Sequence, residues 1–260
     1  MIVLTLANQK GGVGKTTLTC LLAYYLAHKQ NARVAAIDVD NQRNLSHTLR
    51  QYALGVSSLA LFGDTPLNLP PTRPPITLFE ASAKLADVER EADPRRRLQT
   101  FTRQVRSLES HFDYCLIDPP PTLGIRMIAS LTCADAVVIP IELEEYSTQG
   151  VRDMLKTVVG VRQQFNPRLK LLGLLANRVA HNSARQKDAL RQLFEAYPQD
   201  VLRTKISTRT AIPRALEEGV PVWTLRETAA REAGAEVLHA LDTVFRALTA
   251  AMGAQPLEIA

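Results

Sequence analysis

Short, nearly unbroken apolar runs recur along the chain. Between them lie longer stretches in which apolar residues return every three or four positions. The clearest runs are 2–6, 34–37, 114–117, 136–139 and 171–175, with weaker ones at 76–79 and 201–206. Runs without polar alternation read as strands covered on both faces, which is the pattern of a parallel sheet between two layers of helix. The amphipathic stretches 17–29, 95–110, 148–165, 183–196 and 229–252 supply the helices. Alternation of the two predicts an α/β three-layer sandwich, a mostly parallel twisted sheet with helices on both faces. Ligands of such sheets sit at the carboxyl ends of the strands, so the chemistry is sought there.

One segment breaks the rhythm. Residues 66–75 hold five of the fifteen prolines, which excludes a helix or a central strand. The segment reads as a surface connection inside a single domain spanning 1–252; a linker between two domains is the other reading. The tail 253–260 carries one charge, Glu258, and is expected to fray.

Composition narrows the class. With 46% hydrophobic and 22% charged residues over 260 positions, the chain is neither disordered nor fibrous and can bury a sizeable core. Its three cysteines, Cys20, Cys115 and Cys133, lie far apart in apolar stretches without a CxxC pair. That argues against a zinc ribbon or a disulfide framework and fits a reducing compartment. No apolar run approaches the ~20 residues that a bilayer span needs, and Met1 leads straight into a strand-like segment. A soluble, cytoplasmic protein is expected. The net charge of +5 is unevenly spread: residues 160–215 contain eleven Lys or Arg against three acids. Such a segment is either a solvated basic face or a surface for a polyanion.

The sharpest chemical signal follows the first predicted strand. Gln9-Lys10-Gly11-Gly12-Val13-Gly14-Lys15-Thr16-Thr17 opens the first predicted helix. It contains Gly-x-Gly-Lys-Thr, although Gln9 stands where the general phosphate-loop frame has its first glycine. Glycines let backbone amides turn inward around phosphate oxygens, and the helix N-terminus adds partial positive charge. Lys15 would reach the β- and γ-phosphates of a nucleotide, and the Thr16 hydroxyl would ligate Mg²⁺.

Two further strands end in acids. The run 34–37 continues into Asp38-Val39-Asp40, whose two carboxylates point to the same side and suit Mg²⁺ and water handling. The run 114–117 ends in Asp118-Pro119-Pro120-Pro121 and reads as a Walker B strand, with Asp118 holding Mg²⁺ through water. Caps of the following turns are the plainer alternative for these acids.

The segment Lys10–Thr17 resembles the deviant Walker A loop of the ParA/MinD family of P-loop ATPases, and the similarity extends over residues 2–222. The resemblance implies a P-loop NTPase fold that binds ATP and Mg²⁺ on Lys10, Gly11, Gly12, Val13, Gly14, Lys15, Thr16 and Thr17. It implies that Lys10 is the signature lysine, reaching across a sandwich homodimer to the partner's ATP. Asp40 would position the attacking water, Asp38 would support the metal site beside Asp118, and Asn177 would bind the adenine edge. The family usually continues Asp-Pro-Gln-Gly-Asn after this strand, whereas the chain has Asp40-Asn41-Gln42-Arg43-Asn44. Asn41 frees a φ angle that Pro would fix, and Arg43 stands where Gly would accept positive φ.

Within the family, no paired cysteines suggest an iron–sulfur cluster. The terminal Pro256-Leu257-Glu258-Ile259-Ala260 offers no basic membrane helix, so no membrane partner is expected. Only nine residues precede Lys10, so no operator-binding domain is expected before the loop. The resemblance therefore points to a small partition ATPase associated with the nucleoid. Its ATP-bound dimer would bind DNA without sequence preference, and a ParB-like centromere-binding or adaptor protein would stimulate slow hydrolysis. Arg178, Arg185, Lys187, Arg191, Arg209 and Arg214 are the expected DNA contacts; six neutralised phosphates per dimer would give a log–log salt slope of about −5. Two alternatives stay open: a relative that positions a protein assembly, and a metabolic P-loop ligase of the dethiobiotin type.

Overall fold

A computed structural model of the chain describes residues 1–70, 74–143, 148–180 and 182–253. Eight strands form one parallel sheet: β1 (Ile2–Leu6), β2 (Val34–Asp38), β3 (Ala53–Ser57), β4 (Ile76–Glu80), β5 (Tyr114–Asp118), β6 (Ala136–Glu142), β7 (Lys170–Val179) and β8 (Val201–Ser207). Their order is β3-β4-β2-β5-β1-β6-β7-β8. The chain leaves β1 for β2 and later returns to lay β5 between them, then crosses β1 to reach β6. This reversal opens a crevice at the carboxyl ends of β1 and β5, where ligands bind in doubly wound sheets.

Successive residues of each strand face opposite layers. Val3, Ala35, Ile37, Cys115, Ile117, Val137 and Ile139 belong to one buried cluster. Leu4, Leu6, Val34, Ala36, Leu116, Ala136 and Val138 belong to the other. The first layer is closed by α3 (Pro94–Arg106), α4 (Ile125–Cys133), α5 (Thr148–Gln164) and α6 (Ala184–Ala196), through residues such as Phe101, Met127, Met154 and Leu193. The second is closed by α1 (Lys15–Lys29), α2 (Asn44–Thr48), α7 (Ala211–Glu217) and α8 (Thr228–Met252), through Leu22, Leu45, Ile212 and Val237. Helix α1 is buried over most of its circumference, with Tyr24, Tyr25 and Leu26 all inside. A helix that is apolar all round belongs between the sheet and another layer, and Phe245 of α8 packs edge-on against Tyr25.

All seven expected strands and five expected helices are present, with ends shifted by a few residues. One boundary matters for the site. The strand expected to end before Asn177 runs on to Val179, so Asn177 and Arg178 lie inside β7. Strand β3 and helices α2, α4 and α7 were not foreseen. The described part of 66–75 lies outside helices and strands, with Leu67 and Leu69 packed on the core; 71–73 lie outside the described residues. Gly253 ends α8 in the left-handed conformation, and the remainder of the tail, 254–260, also lies outside them. At one margin of the sheet, β8 exposes Arg203 and Lys205. Among the described residues, no helix is long and apolar enough to cross a membrane.

Candidate nucleotide site

The loop between β1 and α1 is held from below. The Asn8 amide donates to the Pro140 carbonyl at 2.7 Å, and Asn8 Oδ1 accepts the Lys10 N–H at 3.0 Å. Gln9 donates to the Thr157 hydroxyl of α5 at 2.7 Å. Gly12 (φ 83°) and Gly14 (φ 90°) adopt left-handed backbone that a side chain would strain. A Cβ on Gly14 would also lie 2.2 Å from the Asn177 amide nitrogen. That nitrogen donates to the Val13 carbonyl at 2.9 Å, so β7 braces the loop from the side.

Lys15 starts α1 with its side chain folded back into the loop, Nζ donating to the Lys10 carbonyl at 3.0 Å. Burial pushes its pKa down, while Asp118 and Asp40 oppose the shift and favour the cation. The Thr16 hydroxyl donates to Asp118 Oδ2 at 2.7 Å. Oδ1 of the same carboxylate is buried with no hydrogen-bond partner among the described residues. An acceptor in that state is costly unless something cationic completes it. Burial first, and then the neighbouring Asp38 charge, raise the Asp118 pKa to about 8.

Asp38 pairs in register with Asp118 across β2 and β5. Its oxygens accept three hydrogens of the chain: Asp40 N–H at 3.1 Å, Ser46 N–H at 2.8 Å and Ser46 Oγ at 2.7 Å. Burial still raises its pKa to about 6. Asp38 thus braces the start of α2, and Asp118 keeps the free lone pairs. Asp40 heads a tight turn: its carbonyl accepts Arg43 N–H at 2.9 Å and its carboxylate accepts Gln42 N–H at 3.0 Å. Arg43 takes the glycine-like conformation, φ 62° and ψ 27°. The arginine departure from the family pattern therefore leaves positive φ in place, with the strain carried by a residue that has a Cβ.

Beside the loop lies a cleft of about 540 Å³ bounded by Thr17, Leu21, Asn177, Ser207, Arg209 and Pro213. It is mixed apolar and polar, as a site for a purine ring requires. Thr16, Asp118 and Lys15, next in the chain to or bonded beside the cleft residue Thr17, can hold a Mg²⁺-bound triphosphate. The orphaned carboxylate oxygen next to a hydroxyl fits a hard cation that keeps most of its water. Among the described residues no group of three His, Cys, Asp or Glu could hold a metal ion. Mg²⁺ in phosphate sites needs only one or two carboxylates besides the substrate.

The six expected DNA contacts do not share one environment. Arg178, strained at φ 53°, donates to the Gly12 carbonyl at 2.9 Å and pairs with Glu142 at 3.2 Å, so it serves the phosphate loop. Arg209 pairs with Glu236 at 3.0 Å and Arg214 with Glu227 at 2.7 Å, acids from outside the basic segment that a linear charge count misses. Arg191 pairs with Asp188 at 2.5 Å on α6. Arg185 and Lys187 are exposed and make no ion pair among the described residues. Sequence reasoning missed Ser46, Glu89 and Arg126, all of which touch the Asp38–Asn41 region or its supports. An arginine inside an apolar helix at position 126 was the one available signal.

A family model described as an AAA domain matches residues 1–171. The chain is 40% identical to Protein IncC of Escherichia coli over 94% of its own length and 69% of that protein. It is 30% identical to the sporulation initiation inhibitor protein Soj of Bacillus subtilis, covering 85% of this chain and 89% of the other. Among solved structures, cobyrinic acid a,c-diamide synthase from Mycobacterium smegmatis with bound ADP and magnesium superposes with a TM-score of 0.75 at 28% identity, covering 96% of both chains. Cyanothece McdA(D38A) in complex with ATP gives a TM-score of 0.80 at 24% identity, covering 100% of this chain and 99% of that one, a likeness of fold.

Proposed function

The chain belongs to the ParA/MinD family of P-loop ATPases, and from that premise we propose that it is an ATP-driven DNA partition ATPase, built as one domain over residues 1–252. The observation that carries this reading is the cluster at the sheet crevice. Lys15 is folded into a glycine loop, and Thr16 is bonded to an otherwise unpartnered Asp118. Loop amides from Gly11 to Thr17 and the Lys15 ammonium bind the phosphates of ATP, and Asn177 edges the cleft that takes the base. Thr16 and Asp118 hold Mg²⁺, with Asp38 adding charge behind them. The ion supplies neutralisation of the negative charge on the β- and γ-phosphates.

Lys10 reaches into the site of a second copy, supplying a cation where charge grows during phosphoryl transfer, as an arginine finger does. Asp40 orients the attacking water. The ATP-bound homodimer binds DNA through its backbone, with Arg185 and Lys187 as the principal contacts, and a ParB-like cargo-bound partner stimulates hydrolysis. If these two cations of each subunit contact DNA, a dimer neutralises about four phosphates, so log affinity should fall against log salt with a slope of about −4.

Light scattering and nucleotide titration test the cycle. Lys15→Ala should abolish ATP binding, and Asp40→Ala should accumulate an ATP-bound dimer. An Asp40→Ala protein that stays monomeric in saturating ATP would overturn the switch. In filter binding with ATP, unchanged DNA affinity after Arg185→Ala with Lys187→Ala would remove the proposed contact surface.

A further inference from the structure

Arg126 is a buried charge that this reading leaves without a task. It lies in the first turn of α4 with its side chain 6% exposed, and its Nε donates to Glu89 Oε1 at 2.8 Å. The other end of the guanidinium reaches toward β2. Nη1 donates to the Val39 carbonyl at 3.1 Å and to the Asn41 side-chain oxygen at 3.3 Å. These are the residues immediately before and after Asp40.

The anchor for Arg126 is itself fixed. Glu89 accepts the Ile125 N–H at 2.6 Å and the Arg126 N–H at 3.3 Å. A Cβ on Gly124 would stand 2.3 Å from Glu89 Oε2, so glycine is what admits the carboxylate. Three separated segments therefore meet on one guanidinium. Burying such a group is expensive unless it is fully paired, and an aliphatic side chain would fill the volume more cheaply. What an aliphatic residue cannot do is grip two acceptors that flank Asp40.

We propose that Arg126 is a positioning residue for ATP hydrolysis: held by Glu89, it clamps Val39 and Asn41 so that the Asp40 carboxylate keeps the placement an attacking water requires. The proposal rests on Asp40 as the water-orienting group. It also gives Asn41 a task that proline could not share, because the Asn41 side chain is one of the two acceptors. Asn41 occupies the second position of the Asp40–Arg43 turn, where a proline fixes φ by its ring instead.

Single-turnover hydrolysis, ATP affinity and ATP-dependent dimerisation, measured on the full chain, test the clamp. Arg126→Met should lower the hydrolysis rate ~10- to 100-fold, the scale of a misplacement near 1 Å. ATP affinity should stay within about threefold and the ATP-bound dimer should still form, because phosphate and metal contacts lie elsewhere. Asn41→Ala should slow hydrolysis and cause no further loss in the Arg126→Met background, as members of one unit do. Asn41→Pro in that background should recover part of the rate.

An unchanged rate in Arg126→Met overturns the clamp, as does a rate that falls together with ATP affinity and dimerisation. Should Arg126→Met not fold, Asn41→Ala leaves the Arg126–Glu89 pair intact and decides alone: a wild-type rate rejects the proposal. Wild-type hydrolysis by Asp40→Ala would instead overturn the reading of the site beneath it. An inactive Asp40→Ala beside a fully active Arg126→Met removes only the clamp.

Discussion

Asp118 concentrates the electrostatic cost of the site in one carboxyl group. Its pKa is raised to about 8 by burial and by Asp38, against an ordinary value of about 4 in an unfolded chain. Between those two values the folded protein holds a proton that the unfolded chain has released, so the slope of unfolding free energy with pH is negative. Without divalent cations, stability should therefore fall as pH rises from 5 to 8, and Asp38, raised to about 6, adds to the lower part of that window. Urea titrations in chelator should show the midpoint dropping over this range in the native chain and much less in Asp118→Asn. A midpoint that rises with pH would contradict the burial described. The grouping of individual residues was legible in sequence where a short local pattern dictates it, as with Lys15, Thr16 and Asp118, which the fold brings together. Arg178 and Arg126 were not, because their partners, Gly12 and Asn41, are 166 and 85 positions away.

Helices and strands were readable to the extent that burial imprints a period. Strands covered on both faces left unbroken apolar runs, and long helices left a repeating stripe. Strand β3 left neither, since Ala53–Ser57 lies at the margin, partly exposed, and pairs irregularly with β4. Helices α2 and α7 are too short for a stripe to repeat. The turn into α2 gives a test at this scale. Arg43 caps that helix in left-handed backbone, which costs a residue with a Cβ about 1 kcal/mol that glycine avoids. Arg43→Gly should raise the melting temperature by about 2 °C, measured by calorimetry without nucleotide. A lower melting temperature would mean that the exposed Arg43 side chain contributes more than its backbone costs.

At the scale of the molecule, the strand order does the assembling. It gathers loops from residues 8–17, 38–46 and 118–126 at a single crevice although they are far apart along the chain. The sequence pattern foresaw the two helical layers but not the pairing of charges, because Glu227, Glu232 and Glu236 lie next to the basic segment only once α8 packs beside β8. Among the described residues β8 ends the sheet with one flank unpaired, and Arg203 and Lys205 are exposed on that strand. Bare backbone along such a rim invites a stranger's chain to add itself, and like charges there keep copies apart. Arg203→Val combined with Lys205→Val should yield a protein that precipitates on concentration or warming while its dilute ATP turnover persists; turbidity against concentration reads this directly. The two cations would then guard the molecule against association through the rim of its own sheet.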